Sequence, residues 1–539
     1  MTAVDGIVDQ ERPQTLGEDC TTRWSGRVLA TFDVASGAWQ VACAAADLRE
    51  VCKWLAEVRG YAFATLVVEE RSDGGRLLKY VYYNGHDSRL AVVELVAPQG
   101  VASVPSLVSL DHGPAVDWHE REVEDLQGLH FEGHPLLGDF VLHEDWPDGV
   151  NPMRPKFDVY RSFPHRDPQA TWEPPTVLVA SGSFAMPVGP VFSDFAEASH
   201  FLLETVGEDV IHTIPRFFYK YRGVEKIAEG KPIDQVLLLA ERFSGTSAVA
   251  HALAFCQAVE TICGVTVPPR AAALRTVFAE LERLRHHVAT ITGICHSTAL
   301  VVATSQAALN EEELIRLSCE LSRHRYFFGA IVPGGVAVDL TADQCRHLAS
   351  TIKAIAARLH ELHRKLRYSS SFLDRLEEVG IISADAAITY GLVGPIARAS
   401  GVSRDLRKVR PYATYETVDF QVPVEQEGDG YARLRVFFRE TQQSASIIGQ
   451  VLSAMPEGDI GTRPIAWRAG VALGTTEAPS GAAFHCLRLG ENRIVERYRI
   501  TPPAFANWHG FHLAAENFAF QDFPIILASF GLSNAECDR

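Results

Sequence analysis

A chain of 539 residues is long enough for two or more domains, each burying its own core. Hydrophobic residues make up 47% and charged residues 22%, as in soluble globular proteins. A net charge of −17 argues against the basic surface that nucleic acid requires, and leaves docking onto a more basic protein open.

The opening stretch, MTAVDGIVDQERPQTLGEDC, is acidic and lacks an apolar core, so no signal peptide is expected. No run of about 18 apolar residues occurs, so no transmembrane helix is expected and membrane association would go through a partner. The ten cysteines are scattered without a CxxC pair. That favours reduced thiols in the cytoplasm and argues against a metal or cluster held by thiolates.

The stretch ADLREVCKWLAEVRG has helical spacing and places Gly60 at its end as a cap. AFATLVVEERSDGGRLLKYVYYNG predicts two strands joined by an Asp-Gly-Gly turn, and SRLAVVELVA (88–97) a further strand. Polar, proline-rich sequence over 145–175 is the best linker candidate. Beyond it, Val277, Leu281, Leu284, Val288 and Ile291 recur at helical steps, and ADQCRHLASTIKAIAARLHELHRKL repeats the pattern. From Gly428 the pattern is mixed, with YARLRVFF and RIVERYRI read as strand-like.

Motifs of other chemistries are weak. HELH (His360, His363) and the pair His286–His287 lack the HExxH spacing that seats zinc on one helical face. The first pair reads as a solvated face and the second as packing. VPGGV and GDG lack the strand–GxGxxG–helix context of a nucleotide site, and no Gly-x-Ser-x-Gly elbow occurs.

Longer fragments carry a resemblance. DWHEREVEDLQGLHFEGHPLL (117–137) resembles the signature of the 30-kDa-type subunit of respiratory complex I. YRGVEKIAEGKPIDQVLLLAERFSG, ELERLRHH, GLVGPIARASGVSRDLRKVRPYATYE, PPAFANW and DFPIILASFGLSNAECDR follow in the order seen in two related families. These are the 49-kDa-type subunit of complex I and the large subunit of membrane-bound nickel–iron hydrogenases, including formate hydrogenlyase. The resemblance implies an α+β domain at 1–160, a linker at 161–178, and a mainly α-helical large-subunit-like domain with small β elements at 179–539.

In those hydrogenases two CxxC pairs hold nickel and iron, soft thiolates suiting both metals. The matching positions here are Ser244, Ser247, Ser533 and Glu536, with Cys537 one place beyond and Ser480 where an arginine lines the site. The sequence stops at Asp538-Arg539, so no extension for a maturation protease is expected. The resemblance therefore implies no metal bound by this chain and no hydrogen chemistry of its own. The quinone-site residues of the complex I subunit are replaced too. Phe192 and Gly245 stand where it has a histidine and a tyrosine, and Phe327 stands at a histidine near the terminal cluster.

Arg222 does match, at the position beside an iron–sulfur cluster held by a partner. It would tune that cluster, pair with Glu225 or another carboxylate at an interface, or both. His200, His251 and Glu260 match family positions in apolar surroundings. They are candidates for a proton relay, against the alternative of satisfied core polar groups.

The implied function is an electron-transfer subunit of a complex I-like or hydrogenase-4-like oxidoreductase, of the NADH-quinone or formate hydrogenlyase type, with a quinone as an acceptor to test. The alternative is an inert structural or regulatory scaffold. Implied partners are a small iron–sulfur subunit and membrane-arm subunits, with no nucleic acid. The implied place is the cytoplasmic face of the membrane, held through those partners.

Overall fold

The computed structural model describes residues 16–33, 37–85, 88–142, 144–155, 157–164, 166, 182–192, 197–463 and 465–539. Most of the 161–178 linker lies outside the described residues. In spatial order, the first sheet runs Leu29–Asp33, Ala38–Cys43, Leu90–Ala97, Arg76–Asn84 and Tyr61–Glu70. Within this sheet Ala38–Cys43 and Leu90–Ala97 pair in parallel and the other neighbours are antiparallel. The predicted hairpin and third strand are present. The predicted helix spans Ala45–Glu57 and stops at a Val58 C-cap, two residues short of Gly60, whose φ of +69° turns the chain into the next strand.

A register shift between Phe63 and Thr65 moves the pleat of the Tyr61–Glu70 strand by one residue. Tyr61, Leu66 and Val68 thereby all face the same core, with Trp24, Trp54 and Tyr80. The opposite face offers Ala62, Ala64, Val81, Tyr83 and Val92, which pack on Val393, Leu406, Ala482 and Phe484 of the helical part. The sheet is thus covered on both faces, which is why its strands read as near-continuous apolar runs.

The helical part is built on the helix Pro269–Ser297, flanked by Ala248–Cys263, Val301–Ser322, Gly430–Ser453 and Phe523–Phe530. The Ala342–Leu366 helix is present as predicted and opens with a capping box at Thr341 and Gln344. Ala250, Ala254 and Ala258 form a small-residue stripe against the strand Gly470–Ala478. The approach is so close that a Cβ on Gly474 would meet the Ala254 carbonyl oxygen at 1.8 Å. Strands Gly470–Ala478, Gly481–Leu489 and Val495–Thr501 form a second sheet, and Ser183–Val188, His200–Val206, Asp209–Arg216 and Phe518–Ala519 a third.

RIVERYRI does lie on a strand, Val495–Thr501, but YARLRVFF does not. It forms the start of the helix Gly430–Ser453. Asp429 caps that helix by accepting from Ala432 N at 2.7 Å, and Leu434, Phe437, Phe438, Thr441 and Ile448 continue the helical spacing. Eight residues were too short a window to reveal that period, which the following two turns carry. His360 is exposed as expected, whereas His363 stacks on Phe438 at 4.4 Å. Among the described residues no helix is long and apolar enough to cross a membrane.

Candidate functional site

The chain returns at its far end to the start of the helix Ala248–Cys263, bringing 533–536 beside 244–251. Ser244, Ser247, Ser480, Ser533 and Glu536 are all buried, none more than 9% exposed. Ser244 Oγ lies 2.9 Å from Thr246 Oγ1. Ser533 caps the short helix Asn534–Asp538, accepting from Glu536 N at 3.2 Å, and donates to the Glu197 carboxylate at 3.0 Å. Glu536 Oε2 accepts from Ser480 Oγ at 3.4 Å, and Glu536 Oε1 lies 2.9 Å from His251 Nε2.

From His251 the contacts continue inward. His251 Nδ1 is 2.9 Å from His485 Nε2, and His485 Nδ1 is 2.6 Å from the Tyr498 hydroxyl. An ionised Glu536 only accepts, so His251 carries its proton on Nε2, His485 on Nε2, and Tyr498 donates. The four side chains form a single polarised chain ending on Glu536, satisfied with both imidazoles neutral. Burial pushes His485 well below the ordinary histidine value and Tyr498 well above the ordinary phenol value, consistent with that assignment.

Ser247 is the N-cap of the Ala248–Cys263 helix, yet its hydroxyl makes no capping bond. Glu282, from the neighbouring helix, takes that role and accepts from Val249 N at 2.7 Å and Ala250 N at 3.0 Å. Burial pushes the Glu282 carboxyl up to about 7, against those two donors and Arg285, with Glu536 pushing further up. A value raised above the unfolded one contributes stability that is full below the unfolded carboxyl range and lost as pH rises through about 7. Urea unfolding of Glu282→Gln is therefore expected to lack a decline between about pH 5 and pH 8 that the native chain shows, by about tenfold in folding constant per pH unit over the lower part of that range.

Arg222 is exposed, and its guanidinium donates to the carbonyls of Phe243 at 3.0 Å and Ala535 at 2.6 Å. It clips together the residues immediately before Ser244 and Glu536. Burial lowers its pKa while Asp538 and Glu197 raise it. It is not paired with Glu225, which instead accepts from Ile500 N and lies beside Arg499 and Arg539.

The three relay candidates do not meet. His251 is in the polarised chain. Glu260 is held bidentately by Arg275, at 3.0 and 2.5 Å, and accepts from Gly334 N, which ties down the turn before the Gly335–Val336 strand. His200 lies half-buried on a strand opposite Arg216, and burial with that arginine lowers its pKa. Phe327 is buried and packs on Phe278 at 4.9 Å. Phe192 lies over Gly189, in a loop with a cis Gly189–Pro190 bond. Over Gly245 sits the ring of Tyr326, with the guanidiniums of Arg285 and Arg325 each 4.8 Å from its centre. His485, Tyr498, Glu282 and Glu197 escaped sequence reasoning. Only His485 left a trace, as a lone polar ring in the apolar strand GAAFHCLRL.

The family described as respiratory-chain NADH dehydrogenase, 30 Kd subunit, matches residues 41–162, and that described as its 49 Kd subunit matches 301–469. The nickel-dependent hydrogenase family matches residues 222–292, which include Ser244, Ser247 and His251. Formate hydrogenlyase subunit 5 of Escherichia coli (strain K12) is 31% identical over 431 residues, covering 79% of this chain and 75% of that protein. The chain belongs to this family of complex I-, hydrogenase-4- and formate hydrogenlyase-type large subunits. Hydrogenase-4 component G of the same organism is 29% identical over 79% of the chain and 74% of its own length. The NADH-quinone oxidoreductase C/D polypeptide of Bdellovibrio bacteriovorus is 29% identical over 85% and 87%. The order of an α+β part followed by a mainly helical part is that of a 30-kDa-like unit preceding a 49-kDa-like one.

Proposed function

We propose that this family member serves a membrane-associated oxidoreductase complex without a nickel–iron centre of its own. Electrons would pass through a cluster in a small partner subunit docked beside Arg222, while this chain holds the complex together and couples it to membrane-arm subunits. The observation that carries this reading is the donor set. Three hydroxyls and a carboxylate are hard ligands, already engaged with Thr246, Glu197, Ser480 and His251 or, at Ser247, buried without a partner. That set does not fit nickel, which takes soft thiolates.

The filling of the site favours a scaffold role for this chain over acceptor chemistry at that spot. Phe327 supplies bulk and no proton, and Glu536 spends its oxygens on neighbours. A second reading, binding of a quinone-like acceptor beside the 244–247 loop, is favoured by Tyr326, whose partly exposed ring covers Gly245.

The test is to isolate the complex from membranes, count its metals and assay reduction of a short-chain quinone. Iron in cluster amounts, no nickel, and turnover unchanged in Tyr326→Phe are expected. Stoichiometric nickel would overturn the reading. Quinone turnover that collapses in Tyr326→Phe, with assembly intact, would replace it with the second.

A further inference from the structure

Away from that site, the helix Pro269–Ser297 buries a charged cluster with residues 398–440 and the strand Gly470–Ala478. Its carboxylates are Glu280, Asp405, Glu440 and Glu477, and its guanidiniums Arg283, Arg398 and Arg407, all essentially without solvent exposure. Arg398 bridges Glu440 at 2.7 Å and Glu477 at 2.8 Å, with Asp405 at 3.5 Å. Arg407 bridges Asp405 at 2.7 Å and Glu280 at 3.0 Å, and Arg283 reaches Glu280 at 3.4 Å and Glu440 at 4.0 Å. Glu280 also accepts from Tyr415 and Ser444, each at 2.6 Å, and Glu477 from Leu406 N at 3.0 Å. Four carboxylates face three guanidiniums, which leaves one negative charge without a counter-charge in a low-dielectric interior.

The hydrogen bonds at one edge of the cluster supply the missing charge independently. His287 Nε2 lies 2.8 Å from Glu440 Oε2, His287 Nδ1 lies 3.3 Å from His286 Nδ1, and His286 Nε2 lies 3.0 Å from the Gly531 carbonyl oxygen. Each of these three bonds needs one proton. The Gly531 carbonyl and the ionised carboxylate only accept, and two neutral imidazoles carry two protons between them. A third proton is required, whichever ring holds it, and one proton is also what the charge count lacks.

We propose that the His286–His287–Glu440 unit binds one proton beyond those of neutral imidazoles, making the buried cluster electrically neutral. The unit is placed to sense the candidate site. Through His286 it holds the carbonyl of Gly531, two residues before Ser533. Arg283 donates to the carbonyls of Glu477 and Ala478, just before Ser480. Losing the proton breaks one of the three bonds and leaves the cluster charged, loosening both segments.

Opposing forces act on the unit. Burial works against a charged ring and lowers both imidazoles, His286 further through His287 and Arg285. Glu440 pulls His287 back up, against Arg283 and Arg398. Glu440 itself stays ionised: burial would raise it, but Arg398 and His287 together hold it far below the usual carboxyl range. Glu477 is the competing seat, since burial and Asp405 push its carboxyl up.

The experiment compares chemical unfolding of the full-length chain with Glu440→Gln and Glu477→Gln from about pH 7 to pH 9, above the ordinary histidine value. Glu440→Gln makes the count three against three and removes the need for the proton. The native unfolding constant is expected to rise about tenfold more per pH unit than that of Glu440→Gln, because the native state releases one more proton on unfolding. Parallel pH dependences would overturn the proposal. So would a dependence abolished by Glu477→Gln and kept in Glu440→Gln. Should Glu440→Gln fail to fold, nitrogen NMR of histidine-labelled native chain at about pH 8 decides. A ring with both nitrogens protonated is expected, and its absence overturns the proposal.

Discussion

Arg398→Ala is expected to destabilise the chain by roughly 3–5 kcal/mol, a large share of the roughly 5–15 kcal/mol of an ordinary fold. Arg398 is fully buried and touches three carboxylates, Glu440, Glu477 and Asp405. Removing it leaves four carboxylates facing two guanidiniums, so the cost is that of stranding charges, beyond that of losing bonds. Burial lowers its pKa, yet the three carboxylates outweigh that and raise it above the ordinary arginine range, so it is charged at any working pH. Thermal unfolding of Arg398→Ala against Arg398→Lys separates charge from shape. Lysine restores one charge without the fork that spans Glu440 and Glu477, and is expected to recover part of the loss. An Arg398→Ala chain within about 1 kcal/mol of native stability would contradict this account.

Glu122→Ala is expected to cost a similar roughly 3–5 kcal/mol and to loosen the sheet-bearing first part from the helical part. Glu122 sits on the helix Pro114–Gln127 and is held by Arg499 at 2.7 Å, from the strand Val495–Thr501, and by Arg539 at 2.7 Å. Glu225 lies farther from both, at 3.5 and 3.6 Å, so without Glu122 two buried guanidiniums share one distant carboxylate. The pH dependence follows. Burial would raise the Glu122 carboxyl, but Arg499 and Arg539 pull it down to about 2. A depressed value contributes stability that is full above the unfolded carboxyl range and lost as pH falls toward about 2. The native chain is thus expected to lose stability steadily across that acid range, and Glu122→Ala to show a shallower loss. Faster proteolytic separation of the two parts is the second readout. A variant as resistant as the native chain would show that the apolar contacts of Val393 and Phe484 with the sheet suffice alone.

Much of the architecture was written in local patterns. The Asp-Gly-Gly turn, the apolar run of SRLAVVELVA and the helical steps from Val277 to Ile291 each concern residues close in sequence, and each element formed where expected. YARLRVFF failed because its alternation is an accident within one helix whose period only a longer window reveals. The order of the motifs likewise placed the chain in its family, since it depends on which residues occur and in what sequence.

The sequence by itself determined most of the elements, their order and the family, and it puts three serines and a glutamate at Ser244, Ser247, Ser533 and Glu536. Only the tertiary structure decided which partners those residues meet. His251 finds Glu536 across 285 positions and His287 finds Glu440 across 153, with no local signal announcing either pairing. The Pro269–Ser297 helix shows the same division. Its apolar steps predict the helix, and the pair His286–His287 reads as packing and is buried, but nothing local announces that Glu280, Glu282 and Arg283 are buried beside them. The reason is physical. Local propensity and periodicity set the shape of a segment, but a buried charge or imidazole is tolerable only when partners from distant segments arrive to satisfy it.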